Sequence, residues 1–450
     1  MSDGPRVLSL AATDNAEVGG RLRQLDTLRV ITCLSVIAMH AVSGPYAPDA
    51  VQLGAATSVL HYSREIFFFV SAMVLVRTYV PRLGPDGRLA DEAAFRRRRL
   101  RLIGVPYLLW TAIYLLIWVW HVRGVEPMGG VIRDFPLKWV YLVATGNGCY
   151  HLYFLLVTCQ FAVIFPWFLR FLGRAQGRHG WVLAGSLALQ VATLTMYHLV
   201  YLPEEGWRAL IGDSSLFAYQ LWMVAGALAG LHLERMHNWV MSHQALILLA
   251  VPAGAGALLW NYWAQVPKLG VLEAATPLQP MMIIWSTIML GVLYLVAVRL
   301  SRLRSPLADR VFSYGAQLSF GVYLAHPMIL DLVLSSARRF GLFAPSKWLV
   351  VVSYVLVTVG AVALCALLHR TRFSLALMGR RRLDRSPSEQ LWSPDNQPRL
   401  AATSASVLLV TAACVLQIGS DQAPAAADHA RGWAITVQAD GNVESDPAGR

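Results

Sequence analysis

The sequence predicts an all-α integral membrane protein, a polytopic bundle of 10–11 transmembrane helices with its N-terminus in the cytoplasm. Three observations lead there. The 450 residues are 56% hydrophobic and only 14% charged, with a mean hydropathy of +0.49; an average soluble domain is about 45–50% apolar and about 25% charged. The apolar residues fall in runs of roughly 20, the length a helix needs to cross the hydrocarbon core. The basic residues are divided unequally between alternate connecting segments. This composition excludes a disordered chain, a basic nucleic-acid-binding fold and most soluble enzymes, despite a net charge of +12.

Residues 1–24 are polar and lack the apolar core and small-residue cleavage site of a signal peptide. They are expected to stay cytoplasmic, with the first helix retained as an anchor. Spans follow at 27–46, 58–77, 102–121, 151–170, 180–200, 216–233, 244–263, 280–298, 312–335 and 347–368, so that residues 25–370 hold ten helices. Backbone polar groups at that depth must be satisfied internally, which leaves a helical bundle as the only plausible class. An eleventh span at 400–419 follows a basic cytoplasmic linker (371–399); if it does not insert, ten spans remain. The tail, 420–450, is polar and expected to be disordered. With the N-terminus inside, inner segments carry 26 Arg and Lys residues and outer segments 10, as the positive-inside rule requires. The longest outer loop, 122–150, holds a short interfacial helix at Pro136–Val143, with Trp139 and Tyr141 at headgroup depth.

The five cysteines are scattered, mostly inside apolar runs, and suggest neither a disulfide framework nor a metal site. Only Lys138, Lys268 and Lys347 among the 38 basic residues are lysine, an arginine bias that suggests a GC-rich, bacterial genome.

Ionisable residues within spans are costly and default to functional candidates. In the first helix, Arg29 and His40 are eleven residues apart. At 100° per residue they share a face, separated by about 16 Å along the axis. His61, His151 and His326 are expected at the same outer depth as His40. Span 2 opens with Arg64 and Glu65 at its outer edge and carries Ser71 mid-membrane, where the hydroxyl can simply bond a backbone carbonyl one turn back. Before span 3 stands Phe95-Arg96-Arg97-Arg98-Arg99-Leu100-Arg101. Five arginines at an inner helix start read either as topology determinants that attract anionic lipid or as a phosphate site, because guanidinium forks match phosphate oxygens and a helix N-terminus adds its dipole.

Taken in order, these motifs resemble the type-3 membrane acyltransferases (acyltransferase 3), which O-acylate sugars on polysaccharides, lipid-linked glycans and some secondary metabolites. The resemblance covers about residues 22–370. It runs through Leu25-Asp26-x-x-Arg29 to His40, Phe67-Phe68-Phe69-Val70-Ser71, the arginine cluster leading into Pro106-Tyr107-Leu108-Leu109-Trp110, Tyr150-His151-Leu152-Tyr153-Phe154, and Tyr323-Leu324-Ala325-His326-Pro327. The chain departs from the family pattern at Ala72, usually Gly, and at Tyr153, usually Trp. The arginine pair registers equally as Arg96/Arg99 or Arg98/Arg101. The resemblance implies an acyl-CoA co-substrate, most often acetyl-CoA, with no bound cofactor, and a sugar, glycan or glycosylated small-molecule acceptor. Catalysis falls to His40, as general base or transient acyl carrier, with Arg29. Tyr323, His326, His151, Ser71 and Glu65 support it or face the acceptor, and Arg98, Arg99 and Arg101 hold the CoA phosphates. The expected location is a bacterial plasma membrane. The alternative from another class is a transporter or flippase for a lipid-linked sugar or small anion. It would use the same arginines and histidines as a pathway, but paired broken helices in two related halves are not evident.

Overall fold

A computed structural model describes residues 23–44, 50–123, 128–199, 212–302, 305–342 and 347–382. The N-terminal segment through residue 22, most of the basic linker, the span expected at 400–419 and the tail expected at 420–450 lie outside the described residues.

Among the described residues the protein is a bundle of helices: α1 (Arg23–Ser43), α2 (Val51–Leu60), α3 (Tyr62–Tyr79), α4 (Glu92–Val122), α5 (Met128–Thr145), α6 (Tyr153–Arg174), α7 (His179–Leu199), α8 (Gln220–Leu231), α9 (Leu233–Ser242), α10 (Gln244–Ala274), α11 (Met281–Ser301), α12 (Pro306–Arg339), α13 (Lys347–His369) and the short α14 (Ser374–Met378). Among the described residues, nine stretches of helix are long and apolar enough to cross a membrane. The α8–α9 pair, bent by 98°, makes a tenth if it is one broken span. Nine of the ten spans expected through residue 368 fall on these helices, and the one expected at 216–233 falls on the bent pair.

Helix α1 is the interior helix, packed against α2, α3, α11, α12 and α13. Its sequence suits that place, because small and hydroxylic residues let neighbours approach. The hydroxyls of Thr27, Thr32 and Ser35 are satisfied by carbonyls one turn back, at 3.0, 2.8 and 3.0 Å, so they enter an apolar core without orphaned donors. By contrast α7 and α10 leave most of their apolar surface open, as lipid-facing helices must.

The α3–α8 contact is the tightest. Gly226 and Gly230 of α8 form a small-xxx-small face, the pattern that lets membrane helices pack backbone to backbone. A Cβ at Gly226 would overlap the carbonyl oxygen of Phe69, and one at Gly230 would come within 2.9 Å of that of Met73. Gly226→Ala is therefore expected to destabilise by about 1–3 kcal/mol through overpacking, read as a lower Tm. Gly256→Ala, where an added Cβ meets nothing among the described residues, serves as the control and should leave Tm unchanged or raise it slightly, since Ala favours a helix interior over Gly.

Two elements differ from expectation. Helix starts at Val51 rather than near residue 58, because the Val51 and Val59 carbonyls accept hydrogen bonds from Tyr262 Oη (2.6 Å) and Trp285 Nε1 (2.8 Å), which draw this stretch against α10 and α11. The expected short interfacial helix is the longer α5, and it descends along α4. Lys138 sits over the Trp118 ring, Trp139 Nε1 donates to the Leu108 carbonyl (3.3 Å), and Tyr107 Oη donates to the Val143 carbonyl (2.6 Å). Leu108 is about 21 Å from the end of α4 at 1.5 Å per residue. The chain after α5 therefore enters α6 deep in the bundle.

The two ends of the bundle are chemically distinct. At the arginine end, Arg23 pairs with Asp309 (3.0 Å), Arg170 with Glu92 (3.5 Å), and Arg299 bonds Gln244 (3.3 Å). The α4 start is capped there by Asp91, whose carboxylate accepts from the Ala94 amide at 2.7 Å. The opposite end, the histidine end, holds the C-terminus of α1 and the candidate site.

Candidate active site

A cavity of about 640 Å³ opens at the histidine end. His40, one turn from the end of α1, forms part of its wall, together with His151, Tyr150, Tyr323, His61 and Arg64. The His40 ring lies between two others, Tyr150 at 4.3 Å and His326 at 5.2 Å between centroids. His151 completes the group, 5.4 Å from His326, 5.3 Å from Tyr323 and 5.3 Å from Tyr114.

The His-Pro sequence in α12 explains how His326 is held. Pro327 has no N–H, so the carbonyl one turn back, that of Tyr323, loses its helical partner. His326 Nδ1 fills the place at 2.7 Å. A carbonyl only accepts, so this assigns the proton to Nδ1 and leaves Nε2 as the acceptor. The Tyr323 hydroxyl in turn donates to the His151 backbone carbonyl at 2.7 Å, which ties the segment after α5 to α12. Helices α1 and α12 and the descending segment thus converge on one imidazole.

A second group lies on the cavity wall. Arg64 binds Asp213 at 2.7 Å and Glu65 at 3.2 Å, with its guanidinium 4.9 Å from the Tyr219 ring centre and 5.9 Å from that of Tyr153. Tyr219 Oη also donates to Asp213 (3.0 Å). Glu65 is buried behind Arg64, and its Oε2 has no hydrogen-bond partner among the described residues. Arg64→Ala would strand that carboxylate, and removing one member of a buried pair costs about 3–5 kcal/mol. Asp213, whose side chain is 52% exposed, is an exposed partner, so Asp213→Asn is expected to cost less than about 1 kcal/mol. Thermal unfolding of the two variants in the same detergent checks the contrast.

Of the residues expected from sequence, His40, His151 and Tyr323 line the cavity, and His326 packs directly behind His40. Glu65 reaches the cavity only through Arg64. Arg29 and Ser71 do not line it: Arg29 lies at the arginine end of α1, and Ser71 is two turns deeper in α3 than the wall residue Ser63. Tyr150, Arg64 and Asp213 are the additions. Tyr150 stood beside His151 in an aromatic motif, a local signal; Asp213 had none.

At the arginine end, packing separates the two registers of the cluster. Arg96 and Arg99 turn inward, with Arg96 over Trp167 (4.9 Å) and within 3.8 Å of Glu92, and Arg99 over Tyr79 (5.1 Å). The buried Nε of Arg99 has no hydrogen-bond partner among the described residues. Arg98 and Arg101 face outward. Of the three arginines expected to hold phosphates, only Arg99 points into the bundle, and Arg96 joins it.

A multi-pass helical bundle with an imidazole-walled cavity at one end and inward arginines at the other has the layout of a membrane-bound group-transfer enzyme. Residues 22–370 match the family described as "Acyltransferase domain", and the chain belongs to that family. It is similar to the protein of Bacillus subtilis (strain 168) named "Putative membrane-bound acyltransferase YfiQ", with 24% identity over 332 residues that cover 70% of this chain and 83% of the other. No solved structure matches. The chain is a membrane acyltransferase.

Proposed function

We propose that this acyltransferase moves an acyl group, acetyl in the simplest case, from acyl-CoA to a sugar hydroxyl. The observation that carries the reading is His40 at the wall of a cavity lined by aromatic and aliphatic side chains and by balanced charges. Arg64, Lys138 and Arg338 are matched there by Asp213, Glu273 and Asp331. A wall of that kind suits a neutral, hydroxyl-rich acceptor better than an anion. The donor approaches from the arginine end, where Arg96 and Arg99 offer inward guanidinium groups to its phosphates. That end lies on the cytoplasmic side of a bacterial plasma membrane, in keeping with the excess of arginine there.

In this mechanism neutral His40 accepts the proton of the acceptor hydroxyl as its oxygen attacks the thioester carbon. The tetrahedral adduct collapses, the C–S bond breaks, and the departing CoA thiolate takes the proton from the His40 imidazolium. His326 and Tyr150 hold the imidazole in place. The test is CoA-thiol release by the purified protein in nanodiscs with acetyl-CoA and a panel of sugars. Release that needs both acceptor and His40 supports the reading, and binding of CoA with no release across the panel counts against a sugar acceptor. Labelled acetyl-CoA supplied without acceptor is expected to leave no label on the protein; label on His40 would make it an acyl carrier instead.

A further inference from the structure

Helices α4 and α12 face each other across a gap that two polar bridges span. Tyr114 Oη donates to the Leu324 carbonyl at 2.6 Å, and His121 Nε2 meets the Asp331 carboxylate at 3.0 Å. Each helix advances seven residues from one bridge to the next, so the bridges stand about 10 Å apart along the axes. One side of this seam is the His40 cavity, to which Tyr114, Trp118, Pro327 and Leu330 contribute. The other side is an outward groove of about 530 Å³, walled by Ile113, Leu116, Ile117, Trp120, Met328 and Ile329. Asp331 lines both spaces.

The groove lies within two membrane-spanning helices, and its rim residues Leu116, Trp120 and Leu332 are exposed, so it opens toward lipid chains. Among the described residues its only ionisable lining residues, His121 and Asp331, sit at the histidine end. A membrane lipid of the adjoining leaflet has the same polarity: a polar head at the interface and an apolar chain running inward.

We propose that this groove holds the apolar chain of a lipid-anchored acceptor, and that its sugar head passes the His121–Asp331 bridge to reach His40. The proposal rests on the O-acyltransferase reading above. The donor's own acyl chain fits the groove less well, because the donor comes from the arginine end and the groove's polar end faces the other way. The groove is no more apolar than the lipid the chain leaves, so the chain contributes register rather than affinity. Anchoring still raises the local concentration of the head at the cavity mouth.

The test uses the full chain in nanodiscs of phosphatidylglycerol and phosphatidylethanolamine, with a low mole fraction of dodecyl glucoside carrying a diazirine at the chain end. Photolabel is expected to concentrate in peptides spanning 113–121 and 328–335. It should fall at least fivefold when the groove is filled by Leu116→Trp with Leu332→Trp, both exposed positions that tolerate a larger side chain. CoA-thiol release with acetyl-CoA and soluble methyl glycosides should not change in that variant. Label spread evenly over the outward faces of α7, α10 and α13, or undiminished in the filled variant, overturns the proposal while leaving the O-acyltransferase reading intact. Displacement of the label by dodecanoyl-CoA alone gives the groove to the donor and also overturns it. Focused label without any His40-dependent CoA-thiol release removes the acceptor role together with the reading on which it rests.

Discussion

Replacing His40 with alanine is expected to slow acyl transfer about 10²–10⁴-fold, the usual contribution of a positioned acid–base group, and to leave the fold intact. The two halves of this expectation have separate causes. His40 borders the cavity, where an acceptor hydroxyl can reach it, and ring contacts to Tyr150 and His326 fix its position. Its removal strands no buried partner, so Tm should hold. His326→Ala reverses the pattern. The Tyr323 carbonyl, already without its helical partner because of Pro327, would lose the bond from His326 Nδ1. A buried acceptor left unsatisfied costs about 1–3 kcal/mol, so Tm should fall while transfer falls less than in His40→Ala. CoA-thiol release and thermal unfolding, measured on both variants, separate the roles. Activity within tenfold of wild type in His40→Ala would remove His40 from the chemistry.

Arg99→Ala is expected to raise the KM for acyl-CoA about 10–100-fold, with a comparable rise for Arg96→Ala. A hydrogen bond to a charged group is worth about 1.5–3 kcal/mol, and about 1.4 kcal/mol corresponds to a factor of ten. Acceptor KM should not move, because these side chains sit at the opposite end of the bundle from the cavity. Arg98→Ala with Arg101→Ala should change donor KM by less than about threefold, since both side chains face outward and exposed charges are screened. A larger effect from the outward pair than from the inward pair would place the phosphates on the exterior of α4 and reject the inward site.

These expectations combine features of two kinds. The membrane class, the helical spans through residue 368 and the shared face of Arg29 and His40 were legible in the sequence, because each depends on local quantities: hydropathy over a span, or the 3.6-residue period of one helix. The aromatic and His-Pro motifs were legible for the same reason, and Pro327 explains locally why His326 bonds the Tyr323 carbonyl. Helical period alone left the arginine register open, since Arg96/Arg99 and Arg98/Arg101 are equally good i,i+3 pairs. The rotation of α4 about its axis decides between them, and Tyr79 and Trp167 on neighbouring helices set that rotation.

The depth of the cavity is likewise a tertiary property. It excludes Arg29 and Ser71, although both lie on helices that contribute to its wall, because only the outer turns of α1 and α3 reach it. The pairing of Arg64 with Asp213 joins residues 149 apart in the chain, with no periodicity to announce it. The descent of α5 along α4 is set by hydrogen bonds from Tyr107 and Trp139 to backbone carbonyls, bonds that hydropathy does not encode. Hydropathy and helical period determine which side chains share a helix face; packing between helices determines which faces meet, at what depth, and therefore which residues surround the imidazole.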